Sequence, residues 1–360
     1  MIKIESFGRD WILAVKAQIR SADPQTIEKL LRAYYLCEQL TQSGLDFTFK
    51  GGTCLTLLTK QPRRFSTDID IVTQVERKEL ETKLQTVCKT GQFTEFELDE
   101  RRSYNPSIPK AHYAMKYTSV IDHRDNDIQL DILFTDSLYS EIQNTPIVSE
   151  YLKLEGNPSQ VRTPTLAALM GDKLTAFAPT TVGVPYGTDK EREIIKQLYD
   201  LGIMFDLTPP FDVVVKTYNA FVEEELFFRP KLNANREDVL KDTLKACEVI
   251  TRRTSQLSAE DEAHFSEIET GLRGFRQFPI KESFRIEEAI AASSKVAFIA
   301  AKLLKADNSP ILTPPSNLQR NDWLIPSENR NYNFLNRRLR GVDPQAQFYW
   351  YKTLQLLGEL

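Results

Sequence analysis

The chain has 360 residues, of which 41% are hydrophobic and 27% charged, with 18 Pro and 14 Gly, and this composition excludes disordered, collagen-like and fibrous classes. At about 150 residues per domain, the length predicts two domains. The 46 Lys and Arg nearly balance the 50 Asp and Glu, leaving a net charge of −4, so the whole-chain field attracts neither nucleic acid nor an anionic membrane, and a polyanionic partner would need a local basic patch.

The first 160 residues carry signals of both helices and strands. Asp23 and Pro24 mark the start of the first predicted helix, because aspartate is a preferred N-cap and proline fits the first turn. The strand signals are short runs in which polar and apolar side chains alternate with a period of two. The predicted helices cover residues 24–42 and 76–90, with a shorter one after residue 53, and the predicted strands cover residues 46–49, 67–72, 93–98, 111–120 and 127–134.

The character of the sequence changes near residue 160. Thr163 and Pro164 have the residue types of an N-cap and a first helical turn, and beyond them strand signals give way to long amphipathic segments. We therefore predict an α+β domain with a mixed β-sheet over residues 1–160 and a helical domain over residues 161–360. The most hydrophobic segment, residues 289–304, is shorter than the roughly 20 apolar residues of a membrane span, so no span is expected.

A Gly-Gly-Thr turn lies between the strand predicted at residues 46–49 and the short helix that follows. Glycines allow close approach to the backbone, successive N–H groups form an anion-binding concavity, and the N-terminus of the helix adds partial positive charge. These properties suit a triphosphate, and the hydroxyl of Thr53 adds a donor. A tight connection without a ligand is the alternative interpretation of Gly51, Gly52 and Thr53.

Three aspartates are predicted on neighbouring strands. Asp68 and Asp70 project from one side of their strand, and Asp131 lies on the polar face of a strand that could pair beside it. Three close carboxylates repel one another unless cations neutralise them, and Mg²⁺, with Mn²⁺ as an alternative, matches a site of carboxylates and substrate phosphates. Two such ions would form a nucleotidyl-transfer centre. A solvated strand face is the alternative interpretation.

Two segments carry a family resemblance. Residues 50–55 (Lys-Gly-Gly-Thr-Cys-Leu) and 64–71 (Arg-Phe-Ser-Thr-Asp-Ile-Asp-Ile) resemble the signature of polymerase-β-like nucleotidyltransferases. More narrowly, a Gly-Gly-Thr turn followed by Arg-x-Ser-x-Asp-x-Asp is similar to the AbiEii/AbiGii toxin group, which includes the MenT toxins. The resemblance implies metal binding by Asp68 and Asp70, and triphosphate contacts from Gly52 and Thr53.

Weaker matches to the same group lie at Asp131 and in the predicted helical half. Lys173 matches the group's phosphate-binding lysine, with a solvated helix-surface lysine as the alternative. Asp200 resembles a later helical aspartate that follows a basic residue, here Lys196 or Arg192. An ordinary i,i+4 ion pair between Lys196 and Asp200 is the alternative for that segment.

The remaining candidates flank the two matched segments. The planar guanidinium of Arg64 suits a phosphate, whereas a solvated loop is the alternative. Ser66 could bind the nucleotide or simply start the strand through a local hydrogen bond. The histidines are not spaced as zinc ligands and are predicted to be structural. The predicted catalytic residues are Asp68, Asp70, Asp131, Lys173 and Asp200, and the predicted nucleotide-binding residues are Lys50, Gly51, Gly52, Thr53, Arg64, Ser66, Lys173 and Lys196.

The C-terminal segment, residues 317–352, mixes basic with aromatic side chains. Six Lys and Arg stand against three Asp and Glu, a local excess of +3. Such a mixture suits binding of phosphates and stacking of unpaired bases, whereas aromatic core residues and solvated arginines are the alternative. Characterised members of the group resemble tRNA-directed transferases that add nucleotides to the 3′ acceptor end and stop translation, so the resemblance favours an RNA acceptor.

The sequence therefore predicts a Mg²⁺-dependent, toxin-like nucleotidyltransferase with its active site between the two domains. It would transfer a nucleoside monophosphate from a nucleoside triphosphate to RNA, in particular to tRNA, and an antitoxin would be encoded nearby. Four cysteines without CxxC spacing and an N-terminus without a signal-like stretch favour the cytoplasm. Two alternatives stay open: transfer to a small molecule such as an aminoglycoside or to a protein, and a catalytically silent nucleotide- or RNA-binding module.

Overall fold

The structure is a computed structural model that describes residues 1–19, 22–60, 62–103, 108–207, 209–254, 257–280 and 282–360. The chain divides into two compact units. The first comprises Met1–Leu169 and Gln277–Glu282, and the second comprises Met170–Arg276 and Ser283–Leu360. The short segment Gln277–Glu282 thus belongs to the first unit although it follows helices of the second.

The first unit combines a mixed β-sheet with helices. Its strands are β1 (Thr48–Lys50), β2 (Ile69–Val72), β3 (Glu95–Leu98), β4 (Lys110–Thr118), β5 (Asp125–Leu133), β6 (Ile142–Pro146) and β7 (Gln160–Pro164). Its helices are α1 (Arg9–Gln18), α2 (Pro24–Gln42), α3 (Gly51–Leu58), α4 (Arg77–Cys88) and α5 (Glu100–Ser103). The α+β class predicted from the sequence is confirmed.

Five of these strands form one sheet in the order β1-β2-β5-β4-β3, in which β2 and β5 are parallel and the other neighbours antiparallel. Burial alternates along β4, where Ala111, Tyr113 and Met115 are buried and the residues between them are half-buried. This alternation is expected of a sheet with one covered face, since successive side chains point to opposite sides. Polar side chains therefore collect on the other face.

The first predicted helix has the bounds expected from its sequence. Pro24 is its first residue, and the side chain of Asp23 accepts a hydrogen bond from the backbone N–H of Thr26 at 3.2 Å. The cap satisfies one of the donors that a helix start leaves without an intrahelical partner. The prediction of a helix over residues 24–42 is confirmed.

The second unit is helical. The boundary between the units lies within α6 (Leu166–Ala176), and the unit continues with α7 (Glu191–Asp206), α8 (Phe211–Phe228), α9 (Arg236–Arg252), α10 (Ala259–Phe275), α11 (Ile286–Leu304), α12 (Phe334–Arg338) and α13 (Pro344–Leu357). Helix α11 lies among α7, α9 and α13, and it is buried on most of its faces, as its run of Ala, Ile, Val and Phe would suggest. None of the helices in the described ranges has the length and apolar character needed to cross a membrane.

The predicted helix start at Thr163 and Pro164 is wrong. Both residues end strand β7, and the hydroxyl of Thr163 lies 2.6 Å from that of Thr145 in β6. The helix begins after them, where the hydroxyl of Thr165 accepts from the backbone N–H of Ala168 at 3.3 Å. Residue type alone misled the prediction, because threonine suits strands as well as caps and proline is tolerated at strand edges.

Candidate active site

The Gly-Gly-Thr turn brings the start of α3 against the sheet. Gly51 has φ +78°, a left-handed conformation that favours glycine. A Cβ atom at Gly51 would also overlap the carboxylate of Asp70. Lys50, the N-cap residue, makes no side-chain cap to the helix. Glycine is therefore required at residue 51 both by its backbone conformation and by its contact with Asp70.

Two polar side chains lie over the second glycine of the turn. A Cβ atom at Gly52 would lie 2.6 Å from both the Nη2 atom of Arg64 and the Oγ atom of Ser66. Arg64 is only 3% exposed and donates through Nη1 to the carbonyl of Phe65 at 2.9 Å. The alternative that Arg64 belongs to a solvated loop is wrong. A guanidinium and a hydroxyl are thus held beside the backbone at the start of α3.

The loop that carries Arg64 is fixed by a distant part of the chain. The backbone N–H of Phe65 donates to the carbonyl of Phe278 at 2.9 Å, and that of Ile280 donates to the carbonyl of Arg63 at 2.8 Å. These two hydrogen bonds flank an isolated bridge between Arg64 and Pro279. The segment Gln277–Glu282 therefore covers the loop, which explains the burial that the local sequence did not predict.

The side chain of Thr53 contacts the protein backbone and does not face solvent. Its side chain is buried, and its hydroxyl donates to the carbonyl of Asp68 at 2.6 Å. This hydrogen bond ties α3 to the residue that precedes β2. A ligand contact from Thr53 would consequently come from its backbone N–H.

A row of charged and polar residues crosses the sheet. Asp70 pairs with Asp131 in the parallel register of β2 and β5, with Lys50 beside Asp70 on one flank and His112 beside Asp131 on the other. Residues that pair across strands share a face of the sheet. Asp68 lies directly before β2. The topology therefore places Asp70 and Asp131 next to each other on neighbouring strands, at a strand spacing of about 4.8 Å.

Asp131 has two partners that the sequence did not reveal. His112 approaches its Oδ1 atom through Nδ1 at 2.6 Å, and Arg102 approaches Oδ2 through Nη2 at 3.3 Å. Arg102 also donates to the side chain of Gln129 at 2.9 Å. The alternating pattern of the strand, which puts His112 on its polar face, could have signalled this neighbour. Arg102 lies in α5, which the sequence analysis did not predict.

Two of the three site residues predicted in the second unit form a buried ion pair. Lys173 Nζ lies 2.7 Å from Asp200, and the two side chains are 7% and 0% exposed. Lys173 also donates to Gln197 at 3.1 Å, while Lys196 pairs with Glu193 at 2.7 Å. Both alternatives are wrong: Lys173 is not solvated, and Asp200 pairs with Lys173 rather than with Lys196. The predicted nucleotide-binding role of Lys173 and Lys196 stays a prediction.

Asp70 and Asp131, which we call the carboxylate row, form a donor set that fits a hard divalent cation. Among the residues that the structure describes, no three His, Cys, Asp or Glu side chains are grouped as ligands of one ion. Mg²⁺ commonly binds through one or two carboxylates and completes its shell with substrate phosphates and water. Asp70 and Asp131, adjacent and partly exposed, meet that requirement.

The C-terminal aromatic residues pack inside the second unit. Tyr349 and Trp350 are buried. The ring of Trp323 packs edge-on against those of Phe348 and Tyr351, with ring centroids 4.7 Å and 5.4 Å apart. The expectation that Tyr349 and Trp350 stack with bases is wrong, because their faces are covered. The alternative, that they belong to the core, is confirmed.

Comparison with known proteins identifies the family. The family model described as nucleotidyl transferase AbiEii toxin, type IV toxin–antitoxin system, matches residues 34–283, which is more than half of the chain. The solved structure of JHP933 from Helicobacter pylori aligns with TM-score 0.43 and 15% identity over 79% of this chain and 96% of that chain.

An antigenic nucleotidyltransferase-like protein from Paracoccidioides brasiliensis aligns with TM-score 0.37 and 16% identity over 57% of this chain and 90% of that chain. A search among curated proteins finds no match. The family match spans both the glycine turn and the aspartates of β2 and β5. The chain belongs to the AbiEii nucleotidyltransferase toxin family and is a nucleotidyltransferase.

Proposed function

We propose that this nucleotidyltransferase transfers a nucleoside monophosphate from a nucleoside triphosphate to RNA, in particular to the 3′ acceptor end of tRNA. The observation that supports nucleotide transfer at this place is the contact of the Gly51 turn with Asp70, which lies beside Asp131. The reaction would release pyrophosphate, and a blocked acceptor end would stop translation. The acceptor and the effect on translation come from the family resemblance.

The start of α3 is the proposed triphosphate site. The backbone of Gly51 and Gly52 can approach phosphate oxygens closely, and the partial positive charge of the helix N-terminus favours an anion. The buried guanidinium of Arg64 and the hydroxyl of Ser66 lie beside Gly52 and would donate to the same oxygens. Because Arg64 is already held in place, little side-chain entropy would be lost on binding.

Asp70 and Asp131, with Asp68 as the family pattern implies, are the proposed ligands of Mg²⁺ or Mn²⁺. Bound there, the cation would supply charge stabilisation to the triphosphate and to the attacking hydroxyl. The protein's own part is orientation: His112 contacts one oxygen of Asp131, and strand pairing fixes the carboxylate beside Asp70. The acceptor hydroxyl would attack the α-phosphorus in line with the departing pyrophosphate.

As a toxin-family enzyme, the protein is proposed to act in the cytoplasm beside an antitoxin encoded nearby. Antitoxin control would suit an enzyme that modifies an essential RNA. Co-expression with the neighbouring gene should restore growth that the wild-type chain alone arrests. Growth arrest that persists with an inactive Asp70→Asn chain would contradict a toxicity based on nucleotide transfer.

One observation favours a second candidate, transfer to a small cationic molecule. A cavity of about 570 Å³ lies over β3, β4 and β5 and is lined by Glu97, Asp99, Glu100 and Asp127, with Lys116 as a cation among them. Asp127 lies two positions before Gln129 and four before Asp131 on the same strand, so the acidic cavity shares the face of the carboxylate row. An aminoglycoside, which is a cation, would match the negative charge of this cavity better than the anionic RNA does.

The test is transfer of label from each of the four α-labelled nucleoside triphosphates in the presence of Mg²⁺. Total tRNA and an aminoglycoside are offered separately and then together. The proposal predicts label on RNA, and mapping should place it at the 3′ end. Label on the drug alone would overturn the RNA acceptor and support the second candidate. Binding of RNA without pyrophosphate release from any nucleotide would support a silent binding module.

A further inference from the structure

The second unit carries five arginines around the N-terminal end of α11. We define this arginine surface as Arg253, Arg276, Arg285, Arg337 and Arg338, which come from the ends of α9, α10 and α12 and from the residue before α11. We propose that the arginine surface binds the backbone phosphates of the RNA acceptor. This inference rests on the proposed function, since it names the part of the protein that holds that acceptor.

A cavity marks one end of the arginine surface. It has a volume of about 430 Å³ and is lined by Arg276, Ser283, Phe284 and Arg285. Both arginines are exposed, and neither guanidinium is in an ion pair within the ranges that the structure describes. Two guanidinium groups and a serine hydroxyl are the donor set that a phosphate group prefers. The described residues that line the cavity include no carboxylate, so the cavity offers an anion a place to bind.

The surface continues toward α12 through contacts at the end of α9. Arg253 donates through Nη2 to Glu287, in the first turn of α11, at 3.1 Å. The preceding residue, Arg252, lies 3.8 Å from the centroid of the Phe334 ring, at the start of α12. These two contacts hold the end of α9 against both helices. They bring Arg337 and Arg338, in the last turn of α12, close to Arg253.

The arginines repel one another where they meet. Burial, followed by the positive charges of Arg337 and Arg253, lowers the pKa of Arg338. The Nε atoms of Arg253 and Arg338 are buried without a hydrogen-bond partner in the described part of the chain. The helix dipole stabilises an arginine at a helix C-terminus, but it does not remove the repulsion among several arginines that lie close together. A bound anion would relieve this repulsion.

Three of the neighbouring carboxylates already have hydrogen-bond partners. Glu287 pairs with Arg253, Glu248 pairs with Arg252 at 2.6 Å, and Glu288 accepts from the backbone N–H of Arg285 at 2.8 Å. Arginines supplied by four separate segments suit phosphates spaced along a polynucleotide better than the three adjacent phosphates of one nucleotide. This spread is the reason for assigning the surface to RNA rather than to the triphosphate.

The test compares the binding of fluorescent total tRNA by full-length variants over a series of NaCl concentrations. The variant is Arg276→Gln/Arg285→Gln, and the matched control is Arg9→Gln/Arg124→Gln, which removes the same charge from exposed residues of the first unit. Because each phosphate contact contributes about 0.7–0.9 to the slope of log affinity against log salt, the variant should lose about 1.5 from that slope and bind about tenfold more weakly at low salt. The control should match the wild type.

Three further outcomes decide between sources of phosphate and between the two proposals. Nucleoside triphosphate affinity should be unchanged in Arg276→Gln/Arg285→Gln, and a loss confined to the nucleotide would overturn the assignment to RNA. Equal tRNA affinity and salt slope in wild type and variant would overturn the arginine surface, while labelling of RNA by the wild type would leave the proposed function standing. Arginine-dependent tRNA binding without transfer of any nucleotide would support the surface and overturn the proposed function.

Discussion

The two units hold their candidate site charges in opposite ways. In the first unit, the Asp131 side chain is 27% exposed and contacts His112 and Arg102 on the polar face of β5, the central strand of the sheet. In the second, Lys173 and Asp200 are almost completely buried and contact each other at 2.7 Å. A partly exposed carboxylate can exchange a protein partner for a ligand at low cost, whereas separating a buried pair leaves an uncompensated charge. The carboxylate row is therefore suited to bind ligands, and the buried pair to hold the helices α6 and α7 together.

Removing one carboxylate of the row should have the largest effect on activity. Asp70→Asn should lower the rate of nucleotide transfer by about a thousandfold, because it removes a proposed ligand of the cation that would stabilise charge on the reacting phosphates. The free energy of unfolding should change by less than about 0.5 kcal/mol, as for other partly exposed substitutions. Single-turnover transfer and urea unfolding measure the two effects. Asp125→Asn, at the exposed start of β5, is the control, and an Asp70→Asn enzyme as fast as this control would contradict the account.

The buried pair should show the reverse pattern. Asp200→Leu alone leaves Lys173 buried without its carboxylate and should lower the free energy of unfolding by about 3–5 kcal/mol. The double variant Lys173→Met/Asp200→Leu should recover most of that loss, since the two apolar side chains can pack together. Urea denaturation measures both.

The double variant also tests the predicted role of Lys173. If it folds as stably as the wild type but binds nucleoside triphosphate more weakly, Lys173 contributes to the nucleotide site as the family resemblance implies. Unchanged nucleotide affinity would confine the pair to a structural role. A loss of less than about 1 kcal/mol in Asp200→Leu, the cost of an exposed pair, would contradict the buried-pair interpretation.

Substitution of Gly51 in the glycine turn should have a smaller effect, and Gly91 offers a matched control. Gly51→Ala and Gly91→Ala both place a side chain at positive φ, which costs about 1–2 kcal/mol, but a Cβ atom at Gly91 has no neighbour within 4 Å. Only Gly51→Ala displaces the Asp70 carboxylate, so it alone should raise the KM for the nucleotide and slow transfer. Steady-state kinetics beside thermal unfolding separates the two costs. Equal activity losses in both variants would show that backbone strain, and not contact with Asp70, sets the effect.

The smallest predicted effect concerns the partner of Asp131. Arg102→Gln should strengthen Mn²⁺ binding by up to about fivefold, because the exposed Arg102–Asp131 pair, worth roughly 0.2–1 kcal/mol, no longer competes with the cation. Arg101→Gln, which alters the exposed neighbour of Arg102, should bind the metal like the wild type. Isothermal titration measures both affinities. Weaker Mn²⁺ binding in Arg102→Gln would mean that Arg102 supports the site instead of competing for it.

Local sequence patterns predicted the parts of the first unit that depend on local chemistry. The cap at Asp23, the alternation in β4 and β5, and the glycine between strand and helix each follow from a few neighbouring residues. The α+β class and the family followed from the same short segments. Strand order was not accessible in this way, since the pairing of Asp70 with Asp131 joins residues far apart in the chain.

The contacts that sequence reasoning missed are long-range ones. Arg64 is buried because residues 278–280, more than 200 positions later in the chain, cover its loop. Nothing in the sequence near Arg64 predicts this contact. The i,i+4 spacing suggests a pair between Lys196 and Asp200. The packing of α6 against α7 instead pairs Asp200 with Lys173, and Lys196 pairs with Glu193. The spacing of the histidines predicts only a structural role for His112, whereas strand pairing places its Nδ1 atom 2.6 Å from Asp131 Oδ1.

The most direct test of the carboxylate row is a crystal of the full chain grown with Mn²⁺ and a nonhydrolysable nucleoside triphosphate. The anomalous signal of manganese should lie within coordination distance of the Asp70 and Asp131 carboxylates, with the triphosphate against the backbone of Gly51 and Gly52. A metal bound away from both aspartates, or a triphosphate bound elsewhere while Arg102 still contacts Asp131, would contradict the account.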